Sequence, residues 1–100
     1  MARMPVISVI IPTYNRVTLL LEALGDLRRQ TMQDFEVVVV DDARTTEPIQ
    51  EAVQAFGPQA VYLQEPQPGV SAARNRGILR ARAPLVAFMD SDDRWVPHKL

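Results

Sequence analysis

The chain has 100 residues, which suits one domain or part of one. Its formal net charge is −1, so it lacks the basic surface of a nucleic-acid-binding domain, and we expect no nucleic-acid partner. It has no cysteine and one histidine, which excludes disulfides and thiolate metal sites. Any metal would then rest on oxygen ligands, a set that favours Mg²⁺ or Mn²⁺ over zinc.

The start of the chain shows no recognisable secretion signal. Residues 1–5 carry one charge, and the apolar run at 6–11 is too short for a signal core or a membrane span. We therefore expect a cytoplasmic protein. Attachment to the inner face of the membrane would have to come from regions beyond Leu100.

The first half of the chain predicts a strand, a helix and a second strand. Residues 6–11 are β-branched and nearly all apolar, as in a strand buried on both faces, and Pro12 is expected to end it. Asn15 is predicted to cap the next helix, because leucines recur at helical spacing after it. Residues 35–40 form the second buried strand, which leads into a pair of aspartates.

The second half continues the alternation. Thr46 is predicted to cap a second helix, and residues 60–63 a short third strand. Ser71 is predicted to cap a third helix, and residues 85–89 are the fourth strand. Alternating strands and helices predict an α/β, Rossmann-like fold, in which helices flank a parallel sheet with right-handed crossovers.

Polar clusters follow three of the predicted strands directly. They lie at residues 13–15, 41–42 and 90–93. In a parallel sheet these carboxyl ends lie along one edge, and open α/β sheets bind their ligands there. The sequence therefore predicts a ligand site at this edge.

The acidic run at 90–93 is the strongest local signal. The carboxylates of Asp90, Asp92 and Asp93 repel one another unless a cation or hydrogen bonds offset their charge. Two carboxylates separated by one residue at a strand end can hold a divalent metal that also binds a diphosphate. The alternative is a solvated acidic turn. The buried strand before the run and Trp95 after it favour the metal site.

The other polar clusters have both a structural and a functional interpretation. Asp41 can accept hydrogen bonds from a base or ribose, but an aspartate is also common in turns. Tyr14 offers an aromatic face to a base or simply packs, while a helix cap is favoured for Asn15. Arg74 follows a helix start rich in small residues, which suits an anion, or it is a solvated surface charge.

Several better-known motifs are absent from the sequence. There is no G-x-G-x-x-G after the first strand and no G-x-x-x-x-G-K-[ST], so dinucleotide-binding and P-loop functions have no support. A receiver-type signalling domain needs an acidic pair after its first strand and a lysine after a late strand. Here the first strand leads to Pro12, and the only lysine is Lys99. That alternative therefore has little support.

Four segments, taken together, resemble the family 2 glycosyltransferases. They are residues 6–16, 30–42, 69–78 and 88–93, the last of which resembles the metal motif written D-x-D. Each segment is weakly informative alone, but their order and spacing cover almost the whole chain. Residues 1–100 thus resemble the N-terminal, donor-binding part of such an enzyme.

The resemblance implies a GT-A fold and a nucleotide-diphospho-sugar donor, for which we expect a UDP-sugar. It implies transfer with inversion to a glycan or lipid-linked acceptor, assisted by Mn²⁺ or Mg²⁺. The implied donor-binding residues are Pro12, Tyr14, Asp41, Arg74 and Asp90, and the implied metal ligands are Asp90, Asp92 and Asp93.

The sequence departs from the family's pattern in two places. Ala43-Arg44 stands where the family commonly has Gly-Ser, which is expected to alter the turn because glycine readily adopts a positive φ. The family's general base lies well beyond the metal motif, whereas only residues 94–100 follow the motif here. We therefore expect no catalytic residue within the chain and place the base and the acceptor half beyond Leu100.

A sheet truncated in this way would expose an edge and apolar surface, which favours a homodimer. The alternative function is a nucleotide-binding module that performs no catalysis.

Overall fold

A computed structural model describes residues 4–100 as alternating strands and helices. All four strands are parallel, and their order in the sheet is β3-β2-β1-β4. The predicted α/β fold, with a parallel sheet and flanking helices, is confirmed. The elements are β1 (Ile7–Thr13), α1 (Val17–Arg28), β2 (Phe35–Asp42), α2 (Ile49–Phe56), β3 (Ala60–Glu65), α3 (Val70–Arg80) and β4 (Leu85–Phe88).

The prediction that Pro12 ends the first strand is wrong. It lies within β1 and pairs with Val40 of β2. Backbone groups two residues apart point to the same side of a strand, and the carbonyl of Ile10 accepts from the amide of Met89 beside β4. Pro12 therefore faces the side where the pairing with β4 has already ended. Its missing N–H costs no ladder hydrogen bond there.

The predicted helix caps are wrong. None of the three helices receives a side-chain hydrogen bond from its own N-cap residue. Helix α2 begins at Ile49, and α3 begins at Val70. Gly69 precedes α3 with a φ of 103°, which places Ser71 inside the first turn rather than before it.

Helices cover both faces of the sheet. Helices α1 and α2 pack on the face that carries Val9, Ile11, Val37 and Val39. Helix α3 packs on the opposite face, where Ala73 meets Ile10, Val38 and Val40. The alternation of side chains along β1 and β2 thus divides one apolar run into two separate cores.

Helix α3 lies unusually close to β1 at Gly77. A Cβ at this position would lie 3.2 Å from two side-chain atoms of Ile10 and would overlap its Cγ2. We expect Gly77→Ala to lower the free energy of unfolding by about 1–3 kcal/mol through overpacking, although alanine is the better helix former. Urea denaturation monitored by circular dichroism measures this loss.

Asn75→Ala is the matched control, because Asn75 is exposed on the same helix. This control is expected to leave stability unchanged or to raise it slightly. Equal denaturation midpoints for the two variants would contradict the close approach of α3 to β1.

Strand β4 lies at an edge of the sheet and exposes Leu85, Val86 and Phe88. On the neighbouring helix α3, Leu79 is 85% exposed. This edge and its apolar surface correspond to the expectation from the sequence. Among residues 4–100, the helices are too short or too polar to cross a membrane.

The order of the strands creates a switch point beside β1. From β1 the chain adds β2 and then β3 in one direction, and α3 then carries it back to place β4 on the other side of β1. The chain therefore leaves the carboxyl end of β1 toward β2 through α1 on one face of the sheet, and it reaches β4, on the other side of β1, through α3 on the opposite face. A crevice at such a point is where open α/β sheets bind ligands.

Candidate functional site

A pocket of about 370 Å³ opens at the carboxyl edge of the sheet. The ends of three strands, the start of α3 and Ser91 of the acidic turn after β4 contribute to it. The other predicted site residues of this region lie outside the lining; they are Arg74, Asp90, Asp92 and Asp93. The lining of the pocket is Pro12, Thr13, Tyr14, Arg16, Asp42, Arg44, Glu65, Gln67, Gly69, Val70, Ala73 and Ser91.

Asn15 joins the two loops beside the pocket instead of capping its own helix. Its backbone amide donates to Thr45 Oγ1 at 3.1 Å, and its side-chain oxygen accepts from the amides of Thr46 and Glu47 at 2.9 and 3.2 Å. Asn15 and Arg16 have φ values of 53° and 58°, a left-handed conformation that these contacts stabilise. The loops that follow β1 and β2 are therefore fixed relative to each other.

Glu47 supplies the cap that the sequence assigned to Asn15. The amide of Val17, the first residue of α1, donates to Glu47 Oε1 at 2.8 Å. The carboxylate also places negative charge at the positive end of the helix dipole. A residue 30 positions along the chain thus caps α1.

Asp41 is buried, with only 1% of its surface exposed, and does not line the pocket. One carboxylate oxygen accepts from Thr45 Oγ1 and the other from the Tyr62 hydroxyl, each at 2.6 Å. Burial and the hydrogen bond to Asp41 raise the pKa of Tyr62 to about 12. The resemblance implies a direct contact between Asp41 and a base, whereas the structure places Asp41 outside the pocket lining.

The alternation of β2 explains why Asp42, and not Asp41, reaches the pocket. Asp41 follows Val37 and Val39 on the face covered by α1 and α2. Asp42 follows Val38 and Val40 on the face covered by α3, whose first residues line the pocket. Two adjacent carboxylates therefore point to opposite sides of the sheet.

Arg44 forms a salt bridge with two hydrogen bonds to Asp42 at the rim of the pocket. Its Nε donates to Asp42 Oδ1 at 2.9 Å, and its Nη2 donates to Oδ2 at 2.8 Å. These hydrogen bonds lower the pKa of Asp42 to about 2. The guanidinium also lies 5.0 Å from the centre of the Tyr14 ring, within range of a cation–π contact.

The turn that carries Arg44 needs no glycine. Among residues 4–100, Asn15 and Arg16 are the non-glycine residues with positive φ, so Ala43 and Arg44 adopt ordinary conformations. The amide of Thr45 donates to the carbonyl of Asp42 at 2.9 Å and closes the turn. Ala43-Arg44 therefore replaces Gly-Ser without backbone strain.

The acidic turn after β4 brings three carboxylates together. Asp90, Asp92 and Asp93 each offer an oxygen, and these oxygens lie within 4.8 Å of one another. Asp93 Oδ2 accepts from the amide of Asp90 at 3.0 Å, which holds the turn. Such a set of oxygens at the surface fits Mg²⁺ or Mn²⁺, which retain waters and substrate phosphates beside one or two carboxylates.

Arg74 connects α3 to this turn. Its Nη2 donates to Asp90 Oδ1 at 3.3 Å, and its guanidinium lies 5.4 Å from the centre of the Phe88 ring. Its Nε is the one buried side-chain nitrogen or oxygen without a hydrogen-bond partner within residues 4–100. A buried donor without an acceptor costs about 1–3 kcal/mol, so a ligand oxygen or an ordered water is expected to satisfy it.

Asp26 of α1 and Gln30, which lies just after that helix, hold the segment that follows the acidic turn, and neither was predicted from the sequence. Asp26 accepts from the Nε and Nη2 of Arg94 at 2.8 and 3.1 Å and from the amide of Trp95 at 2.9 Å. The side chain of Gln30 donates to the carbonyl of Val96 at 2.7 Å and accepts from the amide of Leu100 at 3.0 Å. The signal in the sequence was an acidic residue, Asp26, on the same helix face as the core-facing leucines of α1, which indicates a buried carboxylate that needs a partner.

Comparison with known proteins agrees with the fold. The profile described as Glycosyl transferase family 2 matches residues 8–100. Validoxylamine A glucosyltransferase from Streptomyces hygroscopicus subsp. jinggangensis is 42% identical over 96 residues, which cover 90% of this chain and 22% of that protein.

Two similar solved structures contain nucleotides. TarS 1-349 from S. aureus, in complex with UDP, has a TM-score of 0.83 and 33% identity over 92% of this chain and 29% of its own. The mannosyltransferase PcManGT from Pyrobaculum calidifontis, in complex with GDP-Man and Mn²⁺, has a TM-score of 0.79 and 30% identity over 93% of this chain and 29% of its own.

The chain therefore spans less than a third of the length of each of these three proteins. Over that part, the GT-A fold implied by the sequence is confirmed. The match extends along nearly all of the described residues, from β1 through the acidic turn. This chain belongs to glycosyl transferase family 2.

Proposed function

We propose that the pocket binds the nucleoside diphosphate of a nucleotide-sugar donor, and that the whole protein transfers the sugar to an acceptor hydroxyl with inversion. The observation that carries this proposal is the shape of the site. One pocket at the switch point runs from Ser91, which lies in the acidic turn after β4, to an aromatic and charged rim on β1 and β2. UDP in TarS and GDP-Man with Mn²⁺ in PcManGT support it.

The width of the sheet suits this ligand. Neighbouring strands lie about 4.8 Å apart, so the three spacings from β4 to β3 span about 14 Å. An extended ligand such as a nucleoside diphosphate could therefore lie across the strand ends, from the acidic turn toward Glu65. The diphosphate would lie near Asp90 and Arg74, and the base near Tyr14.

Asp90, Asp92 and Asp93 would hold Mn²⁺ or Mg²⁺. When bound, the ion would offset the charge that develops on the departing nucleoside diphosphate, which is the role of a Lewis acid. Asp90 is also assigned to the ribose, as the resemblance implies. The exposed part of the Arg74 guanidinium would donate to a diphosphate oxygen, since charge-assisted bonds of arginine to phosphate are strong.

The remaining roles belong to neighbouring residues. Pro12 and Tyr14 line the pocket and would contact the base or ribose. Asp41 would act indirectly, by fixing Thr45 and hence the loop that carries Arg44. We assign no general base within residues 4–100. The proposal places the base and the acceptor site in the part of the fold that the relatives have and these residues do not cover.

Calorimetric titration tests the donor site directly. UDP and GDP are each titrated into the chain with Mn²⁺ and with EDTA, after circular dichroism has shown that the protein is folded. We expect one of the two nucleotides to bind at least about tenfold more tightly with Mn²⁺, a difference of about 1.4 kcal/mol. If the folded chain binds neither nucleotide in a Mn²⁺-dependent manner, the proposal is wrong.

A further inference from the structure

We infer that Asp26 keeps the acidic turn open for a divalent cation by drawing Arg94 away from it, and so acts as a positioning residue for the metal site. The inference rests on the proposed function and adds a residue of α1 to it. Asp26 does not line the pocket. Its effect on the site passes through Arg94, which directly follows Asp93 in the chain.

The spacing of Asp92 and Arg94 favours an ion pair within the acidic turn. An arginine two residues after an aspartate can fold back on its carboxylate, and Arg44 does so on Asp42 in this chain. There the guanidinium donates twice, at 2.9 and 2.8 Å, and the backbone amide of Arg44 donates to the same carboxylate at 2.8 Å. The same spacing after β4 would allow the guanidinium of Arg94 to pair with Asp92 in this way.

Arg94 instead donates to two carboxylates of α1. Its Nε and Nη2 donate to Asp26 at 2.8 and 3.1 Å, and its Nη1 donates to Glu22 at 3.1 Å. The amide of Trp95 also donates to Asp26, at 2.9 Å, which fixes the backbone beside the guanidinium. Within residues 4–100, Arg94 has no hydrogen bond or ion pair with a carboxylate of the acidic turn.

Burial explains why Arg94 pairs with Asp26 rather than with Asp92. The side chain of Asp26 is 4% exposed, and a buried carboxylate needs charged or hydrogen-bonding partners to offset its loss of water. Asp92 is exposed, so water solvates its carboxylate and an ion pair there gains little. The pair between Arg94 and Asp26 is therefore the more stable of the two.

Keeping Arg94 away from Asp92 matters because a guanidinium and a divalent ion compete for the same carboxylate. Asp90 already accepts from Arg74. A second arginine in the turn would offset more of the negative charge that attracts Mn²⁺ or Mg²⁺ and would weaken the binding of the ion. By holding Arg94 on α1, Asp26 leaves one arginine rather than two beside the three carboxylates.

Loss of the buried carboxylate should release Arg94 to the acidic turn. Mn²⁺ alone is titrated into the folded chain, and electron paramagnetic resonance measures the free ion. We expect Asp26→Asn to weaken Mn²⁺ binding about fivefold or more, since the released guanidinium competes for Asp92. Asp26→Asn/Arg94→Ala should recover the affinity of the unsubstituted chain to within about twofold. A purely structural role of Asp26 predicts no recovery, because this double variant lacks both partners of the pair.

Asp26→Asn/Arg29→Ala is the matched control. Arg29 also donates to Asp26, at 2.7 Å, and its side chain is 61% exposed against 60% for Arg94. The two double variants have the same net charge, but Arg94 remains released in the control. The control should therefore keep the weakened affinity for Mn²⁺.

The role of Asp26 is refuted, and the metal site stands, if Asp26→Asn binds Mn²⁺ as tightly as the unsubstituted chain or if Arg94→Ala restores no more affinity than Arg29→Ala does. If the unsubstituted chain binds no Mn²⁺, the metal site and this inference both fail.

A second measurement applies if Asp26→Asn does not fold. The guanidinium resonances of Arg94 in nuclear magnetic resonance spectra should shift more in Glu22→Gln than in Asp92→Asn, because Arg94 donates to Glu22 and not to Asp92. An equal or larger shift in Asp92→Asn would show that Arg94 already pairs with the acidic turn, and the inference would then be wrong.

Discussion

Asp92→Ala is expected to weaken Mn²⁺-dependent binding of UDP or GDP by about 100-fold or more and to leave stability unchanged, because a metal ligand supplies several kcal/mol of interaction with the bound phosphates. In the whole enzyme, the same substitution should abolish sugar transfer. Calorimetry on the chain and a transfer assay on the whole protein measure the two effects.

Asp92 is the cleanest of the three acidic positions for this test. Asp90 accepts from Arg74, and Asp93 accepts from the amide of Asp90, so both also hold the local structure. The side chain of Asp92 is exposed and accepts no hydrogen bond from residues 4–100. Its loss should therefore affect ligand binding without affecting the turn.

Glu51→Ala is the control for loss of a carboxylate, since Glu51 is exposed on α2 and does not line the pocket. This variant should bind nucleotide as the unsubstituted chain does. Nearly normal Mn²⁺-dependent binding or transfer by Asp92→Ala would refute the assignment of the metal site.

Asp26→Asn should have the largest effect on stability, lowering the free energy of unfolding by about 2–3 kcal/mol. The side chain of Asp26 is 4% exposed and accepts from Arg29, Arg94 and the amide of Trp95. The estimate is below that for a fully buried pair, because both arginines are about 60% exposed and water screens them. Urea denaturation measures the loss.

Acid should remove the stability that Asp26 contributes. Hydrogen bonds from Arg94, with smaller contributions from Trp95 and Arg29, hold the pKa of Asp26 well below its ordinary value of 3.8. A carboxyl whose pKa is lowered by folding stabilises the protein above its unfolded pKa, and this stability is lost as the pH falls through the folded value. Stability should therefore decline below about pH 5, and less steeply in Asp26→Asn.

Glu22→Gln provides the comparison, because Glu22 contacts the same Arg94 from a 43% exposed position. An exposed pair of this kind contributes about 0–1 kcal/mol. If Asp26→Asn and Glu22→Gln have the same midpoint and the same acid profile, Asp26 does not anchor the segment after the acidic turn.

The order of the elements could be predicted because it depends on local patterns. Residues 8–11 and 35–40 are buried in the sheet, and Leu20, Leu24 and Leu27 of α1 face the core, whereas Leu21 is exposed. The register of the parallel strands then brings their carboxyl ends together. This is why the edge that carries the pocket and the acidic turn was identified correctly from the chain alone.

The helix caps could not be predicted by the same means. Asn15, Thr46 and Ser71 satisfied the local rule for an N-cap, yet the amide of Val17 found Glu47, and Asn15 found the loop after β2. A free backbone N–H donates to any well-placed oxygen, whether that oxygen is near or distant in sequence. Which oxygen is well placed depends on how the two loops meet.

The α/β fold, the edge of the sheet that carries the site and the acidic turn could be predicted from the chain alone, because strand burial, helical periodicity and carboxylate spacing are local properties of the chain. The family was predicted from the resemblance of four segments taken together. Only the tertiary structure decided that Asp42 and Arg44, rather than Asp41, line the pocket, and that Asp26 holds the segment after the acidic turn. These roles depend on which sheet face each side chain enters and on partners as far as 69 residues away, which no local pattern encodes.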